Sequence, residues 1–340
     1  MTVAPDAREP VKRVLYHNEE KTMNANSKVV RRAIGTFALL ATLGVILNGT
    51  ALAERAPYAR IVVFGDSLED PGNAFALTGQ IATPPFEPIP GAAYAIGGHH
   101  FSNGATWVEE LGRIAGLQHS TDPAYRNPDV ASNYAVGGSR ARSVGTSFTA
   151  GQQVATYLGY TGGVAPSDAL YVFGFGGNDV RDALQDPANA LSIIGEAAAA
   201  IADNLRALCE AGAEDVLVAN VPNLGVTPAI QSIGEPAVGF AAFLSWTLNG
   251  LVQSNISGYV QPSCANVRFR TLDLFTLSSA IAAYPGGFGF DSILPCLHFS
   301  TTQNAICSNP NRQFFWDAIH PTEAGHAVLA QEALRLIDTF

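Results

Sequence analysis

Five short, mostly apolar runs, ending at or near Gly, Asn or Asp and separated by long stretches of helical character, constrain this chain's fold most strongly. They are Arg60–Phe64, Asn133–Val136, Ala169–Phe173, Asp215–Ala219 and Val267–Thr271. Short apolar runs predict strands buried on both faces, which is the character of a parallel sheet. Between them the sequence predicts helices near 104–116, 148–160, 187–211 and 236–259. Alternating strands and helices place a helical layer on each face of the sheet. The expected fold class is therefore α/β, a three-layer α/β/α sandwich with a central, mostly parallel five-stranded sheet. A last helix is expected from about Pro321–Thr322 to Asp338, with Leu329, Ala333, Leu336 and Ile337 as its buried stripe. In open sheets of this kind ligands bind beyond the carboxyl ends of the strands.

The N-terminal region reads differently. Lys28, Arg31 and Arg32 precede an uncharged run, Ala33–Leu47, and then Ala51-Leu52-Ala53. That order of charged, apolar and small-residue regions predicts a secretory signal peptide over 23–53, cleaved near Ala53. The rival reading is a membrane anchor, for which the run falls short of the roughly 20 apolar residues a span needs. Residues 1–22 are polar and precede a second Met, as an over-extended start would. A single domain over 54–340 follows, since no long linker or repeat interrupts it, and Thr83–Pro90 reads as a short surface loop.

Removing 1–53 leaves 12 basic against 25 acidic side chains, a net charge of −13, and no lysine at all, because Lys12, Lys21 and Lys28 all precede the cut. An acidic field disfavours nucleic acid and anionic headgroups as partners. Without lysine there is neither a phosphate-binding Walker loop nor Schiff-base chemistry. The four cysteines, Cys209, Cys264, Cys296 and Cys307, lie in the exported part, where disulfides are permitted. Three pairings are open, of which Cys296–Cys307 with Cys209–Cys264 is preferred. Their scatter, without CxxC spacing, gives no metal site, and no cofactor is implied.

Four blocks carry the chemistry. Phe64-Gly-Asp-Ser-Leu-Glu-Asp-Pro-Gly-Asn73 sets Ser67 just past a strand, outside the GxSxG elbow pattern because Glu69 follows Leu68. Phe315-Trp-Asp-Ala-Ile-His-Pro-Thr322 sets Asp317 three residues before His320. A serine hydroxyl is a poor nucleophile until an imidazole takes its proton, and a carboxylate fixes that imidazole's tautomer and orientation. Asn133-Tyr-Ala-Val-Gly-Gly138-Ser and Phe173-Gly-Phe-Gly-Gly-Asn178-Asp179 end strands with glycine amides and a side-chain amide, donors of the kind an oxyanion needs. Taken singly, each block has an ordinary explanation as a cap or a tight turn. His99, His100 and His326 read as surface or packing residues.

Together and in this order, GDSLEDPGN, NYAVGGS, GFGGND and DAIHPT resemble the GDSL family, also called SGNH hydrolases, which are lipases and esterases. His100–Leu111 is similar to the stretch these enzymes carry between the first two blocks, so the resemblance covers about 60–330. It implies the family's flavodoxin-like fold, with Ser67 as nucleophile and Asp317 and His320 completing a triad. It further implies that the Ser67 and Gly138 backbone amides and the Asn178 side chain form the oxyanion hole. The Gly137-Gly138 pair leaves open which amide faces inward. Asp70 and Asn73 are expected to hold the loop. The implied activity is carboxylic ester hydrolysis through an acyl-enzyme, on a small-molecule or lipid ester, by an exported monomer touching lipid interfaces only transiently. Acyl transfer or phospholipase action at the same site, and a non-catalytic binding domain, are the competing readings.

Overall fold

The computed structural model describes residues 58–79, 94–145, 148–298 and 305–340. The expected leader with its cut near Ala53, residues 1–22 and the Thr83–Pro90 loop lie outside the described residues. Strands β1 (Arg60–Gly65), β2 (Ala169–Gly174), β3 (Asp215–Ala219) and β4 (Arg268–Leu272) pair in parallel in that order. Every residue of β2 is buried, as its unbroken apolar run requires, whereas edge strand β4 is exposed at Arg268 and fully buried only at Leu272. Register brings Gly65, Gly174, Ala219 and Leu272 into one row at the carboxyl edge of the sheet.

Successive strand residues face opposite layers. Val62, Phe64, Tyr171, Phe173, Val216 and Val218 pack one core, against helices α3 (Ala150–Tyr160), α4 (Gly177–Gln185), α5 (Ala190–Glu210) and α6 (Ala237–Asn255). Ile61, Val63, Leu170, Val172 and Leu217 pack the other, against α2 (Trp107–Ile114), α7 (Leu274–Ala283) and α8 (Glu323–Ile337). A short helix, α1 (Asn73–Thr78), follows the first motif. All of these elements belong to one compact unit, Ala51–Phe340.

The expected fifth strand is a correction. Asn133–Val136 does run along the free edge of β1: Ser132 O accepts from Val63 N at 3.0 Å, and Tyr134 N donates to Val63 O at 2.8 Å. Only a single bridge forms, between Val63 and Asn133. The next rung would need the Gly65 N–H to reach Tyr134 O. It donates instead to Gln153 Oε1 at 3.0 Å, while Gln153 Nε2 donates to Gly65 O at 2.8 Å. A fully buried side-chain amide from α3 thus substitutes for a peptide of the missing strand. Counted with that segment, the spatial order is the flavodoxin-like 2-1-3-4-5.

Smaller corrections have local causes. Helix α8 begins at Glu323, after Pro321, because the Thr322 hydroxyl caps Gly325 N at 3.1 Å while Pro321 bridges Phe315. Of its stripe, Leu329, Ala333 and Ile337 are buried and Leu336 is only half-buried. Helix α4 starts inside a block that reads as a turn, since Gly176 adopts φ 120° at its N-cap. Disulfides join Cys209 to Cys264 and Cys296 to Cys307.

Candidate active site

Ser67 sits in the turn leaving β1, two residues past Gly65 at the carboxyl edge of the sheet. The turn is held from within: Leu68 N donates to Asp66 Oδ1 at 3.1 Å, and Asp66 N to Glu69 Oε2 at 3.2 Å. Glu69 is buried beneath it and receives Trp107 Nε1 at 2.8 Å on Oε1. Its carboxyl lies against Gly65 and Gly174, where an added Cβ would stand 2.5 and 2.8 Å from its oxygens, so both glycines are needed for close approach. Burial and the neighbouring Asp66 hold Glu69 well above the usual carboxylate range, and burial pushes Asp66 up to about 6.

Asp317 and His320 stand between strand β8 and α8, on a loop that follows three shorter strands, β5 (Ser292–Pro295), β6 (Leu297–His298) and β7 (Ala305–Ile306); β8 itself is Gln313–Phe315. The loop folds around the Asp317 carboxylate: Oδ1 accepts from Ile319 N at 2.8 Å and His320 N at 2.7 Å, and Oδ2 faces His320 Nδ1 at 2.8 Å. Tyr94 OH also donates to Oδ2, at 3.1 Å. Burial of Asp317 opposes its charge, yet the His320 ring and the two backbone amides outweigh it and hold the carboxyl below the usual range. An ionised Asp317 accepts a hydrogen bond from Nδ1–H, which fixes the tautomer that leaves the Nε2 lone pair facing Ser67 Oγ at 2.9 Å. The structure therefore brings together three side chains separated by up to 253 residues.

Asp70 and Asn73 tie the serine turn to the second block. Asp70 Oδ1 accepts from the amides of Gly72 and Asn73 at 2.7 and 2.6 Å, and Oδ2 from Gly137 N at 2.7 Å. Asn73 Nδ2 donates to Asn133 O and Ala135 O, and Asn133 Nδ2 to Glu69 O. Asp70 thus engages the Gly137 amide. Gly138 takes φ 81°, and its N–H, like that of Ser67, has no acceptor among the described residues. Arg140 Nη1 fixes the Gly138 carbonyl at 2.7 Å while the same guanidinium pairs with Asp182 of α4. Asn178, in the first turn of α4, donates from Nδ2 to Ser139 O at 2.9 Å and to Asp66 Oδ2 at 3.3 Å.

Ser67, Asn178 and His320 border a cleft whose walls include Phe175, Val221, Leu224, Leu274, Leu277 and Phe315. It sets a serine hydroxyl, an imidazole and a side-chain amide beside an apolar chamber, the composition of a small-molecule site. Sequence reasoning missed Tyr94, Gln153, Glu69 and Arg181. Most of their partners lie far along the chain, and only Glu69, inside the first motif, and Arg181, just after the third, carried any local signal. His99 stacks on Phe75, His100 Nε2 meets the Glu109 carboxylate at 2.9 Å, and buried His326 accepts from Trp107 N, so none of the three enters the cleft wall.

Residues 61–333 match the family model described as GDSL-like Lipase/Acylhydrolase. The chain is 30% identical over 186 residues to Lipase 1 of Photorhabdus luminescens, covering 54% of this chain and 25% of that protein. It is 27% identical over 294 residues to the thermolabile hemolysin of Vibrio parahaemolyticus, covering 81% and 63%. With Esterase EstA of Pseudomonas aeruginosa it shares 30% over 325 residues, covering 86% and 48%. The chain thus spans from a quarter to just under two thirds of the length of these relatives.

Proposed function

This chain belongs to the GDSL-like lipase/acylhydrolase family, and from that membership we propose that it hydrolyses carboxylic esters through an acyl-enzyme on Ser67. The observation that carries the reading is the relay from Asp317 through His320 to Ser67 Oγ, with contacts of 2.8 and 2.9 Å, beside the Ser67 and Gly138 amides, which have no acceptor among the described residues. His320 Nε2 takes the hydroxyl proton as Oγ attacks the ester carbonyl. Charge developing on the carbonyl oxygen is met by the Ser67 and Gly138 N–H groups and by Asn178 Nδ2. His320 then returns the proton to the departing alcohol, and a water activated by the same nitrogen releases the acid. Asp317 holds the ring and stabilises the imidazolium formed in each half-reaction.

The test is kinetic. Purified protein should hydrolyse short p-nitrophenyl esters, and Ser67→Ala should lower kcat by at least about 10³-fold while the circular dichroism spectrum is retained. Equal activity in the variant would remove Ser67 from the mechanism. The same reading includes export, with the mature chain, a single hydrolase domain, beginning after Ala53. The leader-like N-terminus and the two disulfides, which an oxidising compartment permits, support it. N-terminal sequencing of protein recovered outside the cytoplasm checks this, and an intact N-terminus there would contradict it.

A further inference from the structure

Arg181 follows Asn178 by three residues on α4, and its Nη1 donates to Asn178 Oδ1 at 2.9 Å. Both side chains line the cleft. A carboxamide has an accepting end and a donating end of nearly the same shape, so a side chain that must offer N–H to an oxyanion needs surroundings that tell the ends apart. The surroundings of Asn178 do so. Oδ1 faces a guanidinium, which carries only donors, and Nδ2 faces the Ser139 carbonyl at 2.9 Å and the Asp66 carboxyl at 3.3 Å. A flipped amide would set donor against donor at Arg181 and acceptor against acceptor at Ser139 and Asp66.

The two Nδ2 contacts are unequal. The shorter, to Ser139 O, anchors one hydrogen, while the longer, to Asp66 Oδ2, spends the other on a weak bond that an oxyanion can replace. A cation on Oδ1 draws electron density away from the nitrogen and strengthens Nδ2–H as a donor, an effect that is large in a cleft walled by apolar side chains. The acids nearby on α4, Asp179 and Asp182, are engaged by Arg140 and Arg142, which follow the second block.

We propose that Arg181 is a positioning residue for ester cleavage: it locks the Asn178 amide with Nδ2 toward the oxyanion and polarises it. This rests on the Ser67 reading and adds a residue that acts through Asn178 without touching the substrate.

A double-mutant cycle on a short p-nitrophenyl ester tests it. Arg181→Met should lower kcat by about 10- to 100-fold with KM changed less than about twofold, the size of one lost charge-assisted hydrogen bond. Asn178→Ala should cost about 10²- to 10³-fold. In the Asn178→Ala background, Arg181→Met should add less than about a twofold further loss, because the group it serves is gone. Arg181→Lys, which keeps a cation and a donor, should recover part of the kcat lost in Arg181→Met. An unchanged kcat in Arg181→Met, or the same loss with and without Asn178, overturns the proposal. Should Arg181→Met fail to fold, Arg181→Gln, which keeps a donor without charge, takes its place in the cycle under the same two criteria. Ser67→Ala run alongside separates the cases: activity surviving that change refutes the Ser67 reading, whereas Ser67-dependent activity with a flat Arg181 series refutes only this inference.

Discussion

Replacing Gln153 by Met, which has nearly the same length and shape, tests whether a side-chain amide stands in for the fifth strand. In the native protein Gln153 accepts from Gly65 N and donates to Gly65 O and Ser139 Oγ, at 3.0, 2.8 and 3.0 Å. The Gly65 carbonyl keeps Val136 N as a partner at 3.2 Å, so it is not orphaned by the change. The Gly65 N–H is orphaned, and the fully buried Ser139 hydroxyl loses its donor. A buried polar group left unpaired costs about 1–3 kcal/mol, so Gln153→Met should lose about 2–4 kcal/mol. Urea unfolding, followed by circular dichroism and with an unchanged m-value, measures the loss directly. A fall in kcat should accompany it, because Gly65 anchors the Ser67 turn and Ser139 follows Gly138. A loss below about 0.5 kcal/mol would refute the reasoning, since it would mean that Tyr134 O takes the freed N–H and the fifth strand simply completes itself.

Burial, with smaller contributions from His320 and His100, pushes His326 down to about 3, against about 6.5 in an unfolded chain. The unfolded state therefore binds a proton that the folded state refuses, and this side chain's contribution is full above pH 6.5 and lost as pH falls toward 3. His326→Asn, which keeps an acceptor for Trp107 N, should be less stable than wild type at pH 7, with the gap narrowing by about 2 kcal/mol by pH 5 in urea melts; a constant gap would contradict this. Removing the Cys209–Cys264 link, with a sequence separation of 55, should cost about 4 kcal/mol, and removing Cys296–Cys307, with a separation of 11, about 3 kcal/mol, by loop entropy. Paired Cys→Ser variants compared by urea melts check both values and their order. Gly138→Ala meets no atom within 4 Å but must hold φ 81°, so it should cost about 1–2 kcal/mol and lower kcat more than it raises KM; an alanine variant as stable and as fast as wild type would contradict the need for glycine there.

Much of the architecture was legible because it depends on local pattern. Runs such as Ala169–Phe173 are apolar throughout, and all six residues of the resulting strand are buried. The preferred cysteine pairing, one of three left open by the sequence, is the one observed. The strand expected at Asn133–Val136 failed for a reason outside any window around it, since Gln153 arrives from a helix beginning 14 residues later. Helix α4 was hidden because its glycines read as a turn while serving as its start.

Within the candidate site, the motifs pointed to the groups that meet at the cleft but not to the groups that hold them. The resemblance favours Gly138 over Gly137, but the physical difference between their amides is the Asp70 carboxylate, 67 residues away, which engages Gly137 N. Tyr94 reaches Asp317 across 223 residues and belongs to none of the four blocks. Such residues carry no signature of their own, because their role lies in what the folded chain sets beside them.

The central claim is that Ser67 is a nucleophile activated by His320 and Asp317. A fluorophosphonate probe, which captures only activated serines, followed by peptide mapping by mass spectrometry, tests it most directly. The account predicts one adduct, on the peptide containing Ser67, formed rapidly in folded protein and lost in His320→Ala and after denaturation. Folded, ester-hydrolysing protein that remains unlabelled at Ser67, or carries the adduct on another serine, would contradict it.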